Sequence, residues 1–552
     1  MRYVIEASAA ADRAVNVADL VSVHANDQPD GIAFVEVATG SSLTWAELDT
    51  QVGSLASGFA SVGLVAGQRV AFALQNSTAF VLTYLAVARA GLVAVPMNTA
   101  SATGEFVRML ADSGSRLVIA DSTTATSLRS AVGGLQDALA GANDALRSRN
   151  PVPVLAVDQT RPLPGEHGFA DLAAASARPV ISPADRENLA VLLYTSGTSG
   201  RPRGAMLSHR ALLANVRQVA AIEPPPTRRD DVVLGLLPLF HIYGLNAILG
   251  QVLSAGARLV LVDRFDAEGT LRTIVEHAVT NIPLTPPVVA AWAGLPAAEQ
   301  SFAGVRIVVS GAAPLDPDLR GLFEHTSGVP VEQGYGLTEA APVVTSTLTS
   351  GASASGQQPL PNGVGGPVPG VQIEARDASG AVLVDDPGQI WVRGANLFSG
   401  YWPDGQDGPD ADGWWPTGDV GLVDGDGDLV LVDRLRELVL VNGFNVYPTE
   451  VEEVVAELPD VVEVAVVGVP DEFTGEAVVA FVVAADSEPA DSAAPASEVL
   501  IDKVRSHCEQ RLARYKRPRD ITMVEGLPHS ATGKVAKGRL RAQARRSALG
   551  LT

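Results

Sequence analysis

A single cysteine, Cys508, stands in a chain of 552 residues. The chain can therefore form no internal disulfide and no cysteine-based metal cluster. It also lacks an apolar run of the ~18 residues that a membrane-spanning helix requires. The first residues mix Glu6, Asp12 and Arg13 into alanines and have no apolar centre of the kind a signal peptide carries. Positive charge is in short supply: 40 Lys and Arg stand against 62 Asp and Glu, a net charge of −22. Nucleic-acid phosphates would be repelled by such a surface, so no nucleic-acid partner is expected. Together these absences predict a soluble cytoplasmic protein without a transmembrane segment.

What is present is globular. Hydrophobic residues make up 47% and charged residues 18% of the chain, with 53 glycines and 36 prolines to feed turns. The length is too great for one core, so at least two domains are expected. Apolar runs at 32–37, 69–74, 91–96 and 117–120 read as strands. Helical patterns at 45–62 and 78–90 lie between them, an alternation that predicts a parallel α/β sheet. The pattern pauses over 123–164, read as surface helix and loop. It resumes with strands at 232–237, 257–262 and 305–309. A Gly/Pro/Ser-rich stretch at 351–370 predicts a change of subdomain into a β-rich piece over 371–392. The acids, glycines and tryptophans of 404–428 read as solvated loops and hairpin turns, and 484–497 as a low-complexity loop. Beyond residue 511 the charge turns positive.

One stretch organises the rest: Tyr194-Thr195-Ser196-Gly197-Thr198-Ser199-Gly200-Arg201-Pro202-Arg203-Gly204. It follows the apolar run 189–193 and is expected to lead into a helix capped by Ser208. Glycines let backbone N–H groups approach an anion, hydroxyls add donors, and Arg203 brings positive charge, so the loop reads as a phosphate cradle rather than a surface turn. No Gly-Lys-Ser/Thr closes it, which excludes a Walker A loop. Three further stretches stand out, the first two of them after apolar strands. They are Leu237-Pro238-Leu239-Phe240-His241-Ile242-Tyr243, Ser310-Gly311-Ala312-Ala313-Pro314, and Gln333-Gly334-Tyr335-Gly336-Leu337-Thr338-Glu339. On pattern alone a lone histidine on an apolar face is a core residue, and the second stretch is a tight strand-to-helix turn.

The loop at 194–204 closely resembles the signature loop of the adenylate-forming superfamily, which takes in acyl-CoA synthetases, 4-coumarate–CoA ligases, luciferases and adenylation domains. The other stretches resemble that family's motifs in the family's order, and the resemblance covers nearly the whole chain. It implies an α/β fold, in which a large N-terminal domain of parallel α/β subdomains and a β-rich subdomain spans 1–433. A small mobile α+β C-terminal domain takes 434–552. It further implies that Thr195, Ser196, Gly197, Thr198, Ser199, Gly200 and Arg203 hold ATP phosphates, and that Gly311, Ala312 and Ala313 lie beside adenine. Gln333, Gly334, Tyr335 and Gly336 complete the nucleotide site, with Tyr335 offering its ring to adenine, Thr338 its hydroxyl to the α-phosphate and Glu339 an oxygen to Mg²⁺.

By the same resemblance His241 borders the carboxylate tunnel, and Tyr243, Ala247, Gly334, Pro342 and Val343 line the acyl pocket. Amino-acid-activating relatives place an aspartate where 237–246 has no acid. A buried ammonium without a counter-charge is costly, so a plain carboxylic acid is expected, and the small residues among those pocket positions lead to the expectation of a medium or long apolar chain. In the C-terminal part Asp419 and Arg434 are implied at the ribose and Arg436 at a pivot, where the family often has lysine. Asn442, Gly443 and Phe444 are implied on the CoA path, and Lys534, in Leu527-Pro528-His529-Ser530-Ala531-Thr532-Gly533-Lys534, between carboxylate and α-phosphate. The implied enzyme joins a carboxylic acid to CoA through acyl-AMP, using Mg²⁺ and ATP. A carrier-protein acceptor, luciferase-like oxidation and a catalytically dead binding protein stand as weaker alternatives, and a homodimer is left open.

Overall fold

The computed structural model describes residues 10–140, 152–175, 185–195, 202–351, 363–434, 437–441, 444–471, 474–485, 496–512, 514–529 and 534–548. The chain divides into two compact units, Met1–Gln372 with Val392–Trp415, and Ile373–Trp391 with Pro416–Thr552.

The first unit is built on two sheets. In the larger, Ile32–Glu36, Arg258–Leu261, Val232–Gly235, Asn281–Leu284, Ile307–Ser310 and Val331–Gly336 run parallel side by side, and antiparallel strands finish both edges. These strands read as continuous apolar runs because helices cover them. Their core centres on Trp292, whose ring meets Phe265 and Phe302 edge-on, and Phe302 in turn meets Phe323. In the second sheet, Leu117–Ala120, Arg69–Ala73, Val93–Pro96 and Leu189–Thr195 lie in that order, parallel to one another. The helices Thr103–Ser113 and Ala125–Ala140 pack on it. Local sequence sets the helix starts. Thr44 accepts from the Glu47 N–H while the Glu47 carboxylate accepts from the Thr44 N–H, a capping box that opens Trp45–Ser61.

The second unit carries a five-stranded sheet that includes Val371–Arg376, Gly388–Gly394, Trp414–Val423 and Leu429–Arg434, three of whose strands begin or end in the first unit. It also carries a sheet in which Val461–Asp471 pairs antiparallel with Gly475–Ala484 over their length, with Asp520–Met523 added parallel. Side chains alternate across this sheet. Val466, Val478, Ala480 and Val482 face one way, towards Val451, Val455 and Leu500. Ala465, Val467, Val469, Val479 and Phe481 face the other, towards Leu540 and Ala544 of the helix Lys537–Ala548. The mixed α/β class with parallel sheets, a separate β-rich sheet and a C-terminal α+β body matches the sequence expectation.

Three local expectations need correcting. The segment that leads up to Ser208 is not loop throughout. Arg203–Ser208 is a strand paired antiparallel with Leu189–Thr195, so the loop joins the two arms of a hairpin. Ser208 does cap the next helix, accepting from the Ala211 N–H. The strand was hidden by Gly204, whose hydrogen lets the chain pass close, since a Cβ there would lie 2.7 Å from Leu192 Cδ1. Asp419 lies in the strand Trp414–Val423 rather than in a turn, and within 123–164 a largely buried strand, Val154–Val157, replaces surface loop.

Candidate active site

In an open parallel sheet, ligands bind beyond the carboxyl ends of the strands. Three parallel strands of the larger sheet end in the stretches singled out from sequence. Val232–Gly235 runs into 237–246, Ile307–Ser310 into Gly311, Ala312 and Ala313, and Val331–Gly336 into Thr338 and Glu339. His241 is half-buried, and its Nδ1 accepts from the Tyr243 N–H at 3.3 Å. Tyr243 and Ala247 lie on a π-helix, Tyr243–Gly250, a wound-out turn that often marks a functional position. The Tyr243 hydroxyl donates to the Val309 carbonyl at 3.1 Å, which lays its ring against Gly311. A Cβ on Gly311 would meet that ring at 2.9 Å, so glycine is required for the approach. Burial pushes the Tyr243 phenol up, so it stays neutral. Ser310 Oγ is buried with no hydrogen-bond partner among the described residues.

Tyr335 is buried on its strand, opposite Thr345, while Gly334 and Gly336 flank it half-exposed. A Cβ on Gly336 would come within 2.3 Å of the Pro342 carbonyl oxygen, and one on Gly334 within 3.1 Å of the Thr345 carbonyl oxygen. The segment that follows is pinned by three asparagines. Asn396 donates to the Ala340 carbonyl at 2.7 Å and Asn246 to the Ala341 carbonyl at 2.6 Å, while Asn215 both donates to and accepts from the Val343 backbone. Pro342 and Val343 are thereby held beside the ends of the same strands.

Glu339 is only 8% exposed, so its carboxylate needs a partner. The Tyr401 hydroxyl supplies one, donating to Glu339 Oε1 at 2.7 Å. Burial first, and then the Glu339 charge, raises the Tyr401 phenol and keeps the proton on its oxygen. The Arg203 guanidinium lies over the Tyr401 ring, 3.8 Å from its centre, and pairs with Asp407 at 2.7 Å. The far arm of this hairpin is thus tied, through one ring, to the carboxylate after Val331–Gly336. The near arm is anchored by Tyr194, whose hydroxyl donates to Asp112 Oδ2 at 2.6 Å. Thr195, at the end of that arm, faces Arg203 across the hairpin. Ser196, Gly197, Thr198, Ser199 and Gly200 lie outside the described residues, as do Arg436, Asn442 and Gly443.

The second unit holds the remaining candidates. Asp419 and Arg434 are partners in register on adjacent antiparallel strands, and the Asp419 N–H is fixed by Thr417 Oγ1 at 3.1 Å. Phe444 begins a short strand paired at Val441. Lys534 is half-buried at the neck of its loop, where His529 bridges Val535 and the Ala536 N–H reaches the Pro528 carbonyl at 2.6 Å.

The chain matches the model of the AMP-binding enzyme over residues 21–402 and that of the AMP-binding enzyme C-terminal domain over 450–534. It belongs to the AMP-binding family of adenylate-forming enzymes. Among its relatives, 4-coumarate–CoA ligase 5 of Oryza sativa subsp. japonica is 33% identical over 95% of this chain and 94% of its own length. A 4-coumarate–CoA ligase of Arabidopsis thaliana is 31% identical over 92% and 88%. Among solved structures, ATP-bound MatB from Rhodopseudomonas palustris superposes with a TM-score of 0.82 at 29% identity, over 96% of this chain and 99% of that one. The amide bond synthetase McbA from Marinactinospora thermotolerans gives 0.79 at 29% identity, with the same coverage. The homologues place the chain among the adenylate-forming CoA ligases of the family, whose substrates are ATP, CoA and a small-molecule acid.

For this adenylate-forming chain, sequence reasoning missed Tyr401 and the asparagines 215, 246 and 396. Each acts at a separation in sequence that no local pattern reveals. Among the described residues no group of three or more His, Cys, Asp or Glu could hold a metal. Mg²⁺ is commonly held by one or two carboxylates together with substrate phosphates, so the single oriented Glu339 fits a cation that arrives with the nucleotide. None of the described helices is long and apolar enough to cross a membrane.

Proposed function

We propose that this chain is an ATP-dependent acid–thiol ligase that activates an apolar carboxylic acid, of medium or long chain, as acyl-AMP and then passes the acyl group to CoA in the cytoplasm. The observation that supports this most is the Arg203–Tyr401–Glu339 chain of contacts, which joins a phosphate loop to a buried, oriented carboxylate at the sheet's carboxyl end.

In the first half-reaction a carboxylate oxygen attacks the α-phosphorus of ATP, and pyrophosphate leaves. The loop hydroxyls and Arg203 hold the phosphates, Tyr335 offers its ring to adenine, and Asp419 and Arg434 take the ribose. Thr338 donates to an α-phosphate oxygen. Mg²⁺, held through Glu339, would neutralise charge on the departing phosphates. Lys534 bridges two anions that otherwise repel, the acid's carboxylate and the α-phosphate. In the second half-reaction the CoA thiol attacks the acyl carbonyl and AMP leaves with the bridging oxygen. Phe444, with Asn442 and Gly443, lies on the pantetheine path, and a turn about Arg436 exchanges the two arrangements of the domain 434–552 against 1–433. No side chain acts as a nucleophile; positioning and charge neutralisation carry the chemistry.

Three features support an apolar acid. The stretch 237–246 carries no acidic residue, Tyr243 is a neutral phenol committed to Val309, and Ala247, Pro342 and Val343 offer apolar surface. A pyrophosphate-release screen over aliphatic acids of increasing length and aromatic propenoic acids, with and without CoA, tests the reading. Release with medium or long aliphatic acids, and thioester only with CoA, is the expected result. Preference for aromatic propenoic acids would replace the acid assigned here, and release without thioester would replace the acceptor.

A further inference from the structure

Lys537 is the first residue of the helix Lys537–Ala548, three positions after Lys534. Its ammonium lies between two carboxylates, 3.1 Å from Glu437 Oε2 and 2.9 Å from Glu452 Oε1. All three side chains are largely withdrawn from water, at 13%, 24% and 18% exposure. Glu452 is itself fixed, since its Oε1 also accepts from the Val466 N–H at 2.6 Å.

The three partners come from different parts of the second unit. Glu452 belongs to the helix Pro448–Ala456, packed on one face of the antiparallel sheet through Val451 and Val455. Lys537 opens the helix packed on the opposite face through Leu540 and Ala544. Glu437 stands two residues before the strand Val439–Val441 and immediately follows Arg436. One ammonium therefore clasps both faces of the domain to the segment next to the pivot. Without it two carboxylates would face each other in a half-buried place, and like charges there drive the groups apart.

We propose that Lys537 is a positioning residue that fixes the Lys534 loop to the segment beyond the pivot, and that it serves adenylation rather than thioester formation. This rests on the two-step reading above. The loop's neck is already closed at Pro528–Ala536 and His529–Val535, and Lys537 follows that neck directly. Any slack at Lys537 therefore displaces the neck and the Lys534 ammonium with it. In thioester formation Lys534 has no substrate to meet, so the slack costs nothing there.

The test compares Lys537→Met, Lys537→Arg and Glu437→Gln with the unaltered protein in two assays, pyrophosphate release from acid and ATP, and thioester formation from synthetic acyl-AMP and CoA. Amide hydrogen exchange is followed in peptides covering 437–441 and 524–537. Lys537→Met should slow adenylation at least tenfold through kcat, with KM for ATP nearly unmoved, and should leave thioester formation within twofold. Exchange should rise in both peptides together. Lys537→Arg should restore all three readouts, since it returns the charge to the same place. Glu437→Gln removes one anion without touching the helix, so it should raise exchange in both peptides even where Lys537→Met fails to fold. Equal losses in the two half-reactions, unchanged adenylation, or unchanged exchange would each overturn the proposal. A protein whose unaltered form releases no pyrophosphate would instead refute the two-step reading, while the exchange data would still decide whether Lys537 couples the two segments.

Discussion

Tyr401→Phe removes one oxygen and leaves the ring on which Arg203 rests, so it isolates the hydrogen bond to Glu339. That bond is short at 2.7 Å, and its acceptor is a carboxylate buried to 8% exposure. A hydrogen bond to a charged group contributes about 1.5–3 kcal/mol, and Tyr401→Phe removes that contribution from a carboxylate in a place water hardly reaches. If the whole of that energy orients the carboxylate for Mg²⁺, adenylation at limiting Mg²⁺ should fall about tenfold to 150-fold. The assay is pyrophosphate release across a Mg²⁺ titration at fixed ATP, paired with calorimetry of Mg²⁺ and a non-hydrolysable ATP analogue binding to the protein. The half-saturating Mg²⁺ concentration should rise in both measurements, and saturating Mg²⁺ should recover part of the rate. A folded Tyr401→Phe protein with an unaltered Mg²⁺ dependence would refute the reasoning, and Glu339 would then be a carboxylate held for structure alone.

Other substitutions have expected outcomes of their own. Lys534→Ala should reduce acyl-AMP formation by several orders of magnitude yet still convert supplied acyl-AMP and CoA to thioester; loss of both in a folded protein would argue against a role confined to the first step. Ala247→Leu should shorten the longest acid accepted in a chain-length panel, and unchanged selectivity would remove Ala247 from the pocket wall. Gly334→Leu is a poorer probe, because its Cβ would press on the Thr345 carbonyl 3.1 Å away and disturb the strand itself. His209 is buried, its Nδ1 accepts from the Val17 N–H, and burial lowers its pKa to about 4. The unfolded chain takes up a proton below about pH 6.5 that the folded protein refuses until about pH 4, so stability is lost as pH falls through that window, by up to about 3 kcal/mol. Urea unfolding at pH 7 and pH 5 should show that slope in the unaltered protein and a flatter one in His209→Gln; equal slopes would contradict it.

Much of the fold was legible because its signals are local. The apolar runs at 69–73, 93–96 and 117–120 are strands buried on both faces, and Ser208 announces its helix by a side chain that reaches only three residues ahead. The strand Arg203–Ser208 was not legible, since pairing with Leu189–Thr195 rather than its own composition holds it extended. Asp419 illustrates the same point, as Gly418 reads as a turn residue until Arg434 is found opposite it in register. The π-helix at Tyr243–Gly250 leaves the apolar pattern intact, so nothing in the sequence marks the widened turn. In the candidate site, the residues proposed to meet substrate fall in contiguous motifs that a sequence displays directly. Those that hold them, such as Tyr401 for Glu339 and Asn246 for Ala341, act across long stretches of chain. Contacts of that kind carry no periodicity.

Whether a carboxylate oxygen attacks the α-phosphorus of ATP is decided by isotopic oxygen. An acid labelled with oxygen-18 in both carboxyl positions is turned over with ATP and CoA, and the products are analysed by mass spectrometry. Attack at the α-phosphorus gives AMP carrying one heavy oxygen in its phosphate, a thioester carrying one, and unlabelled pyrophosphate. Unlabelled AMP, or label in inorganic phosphate accompanied by ADP, would contradict it.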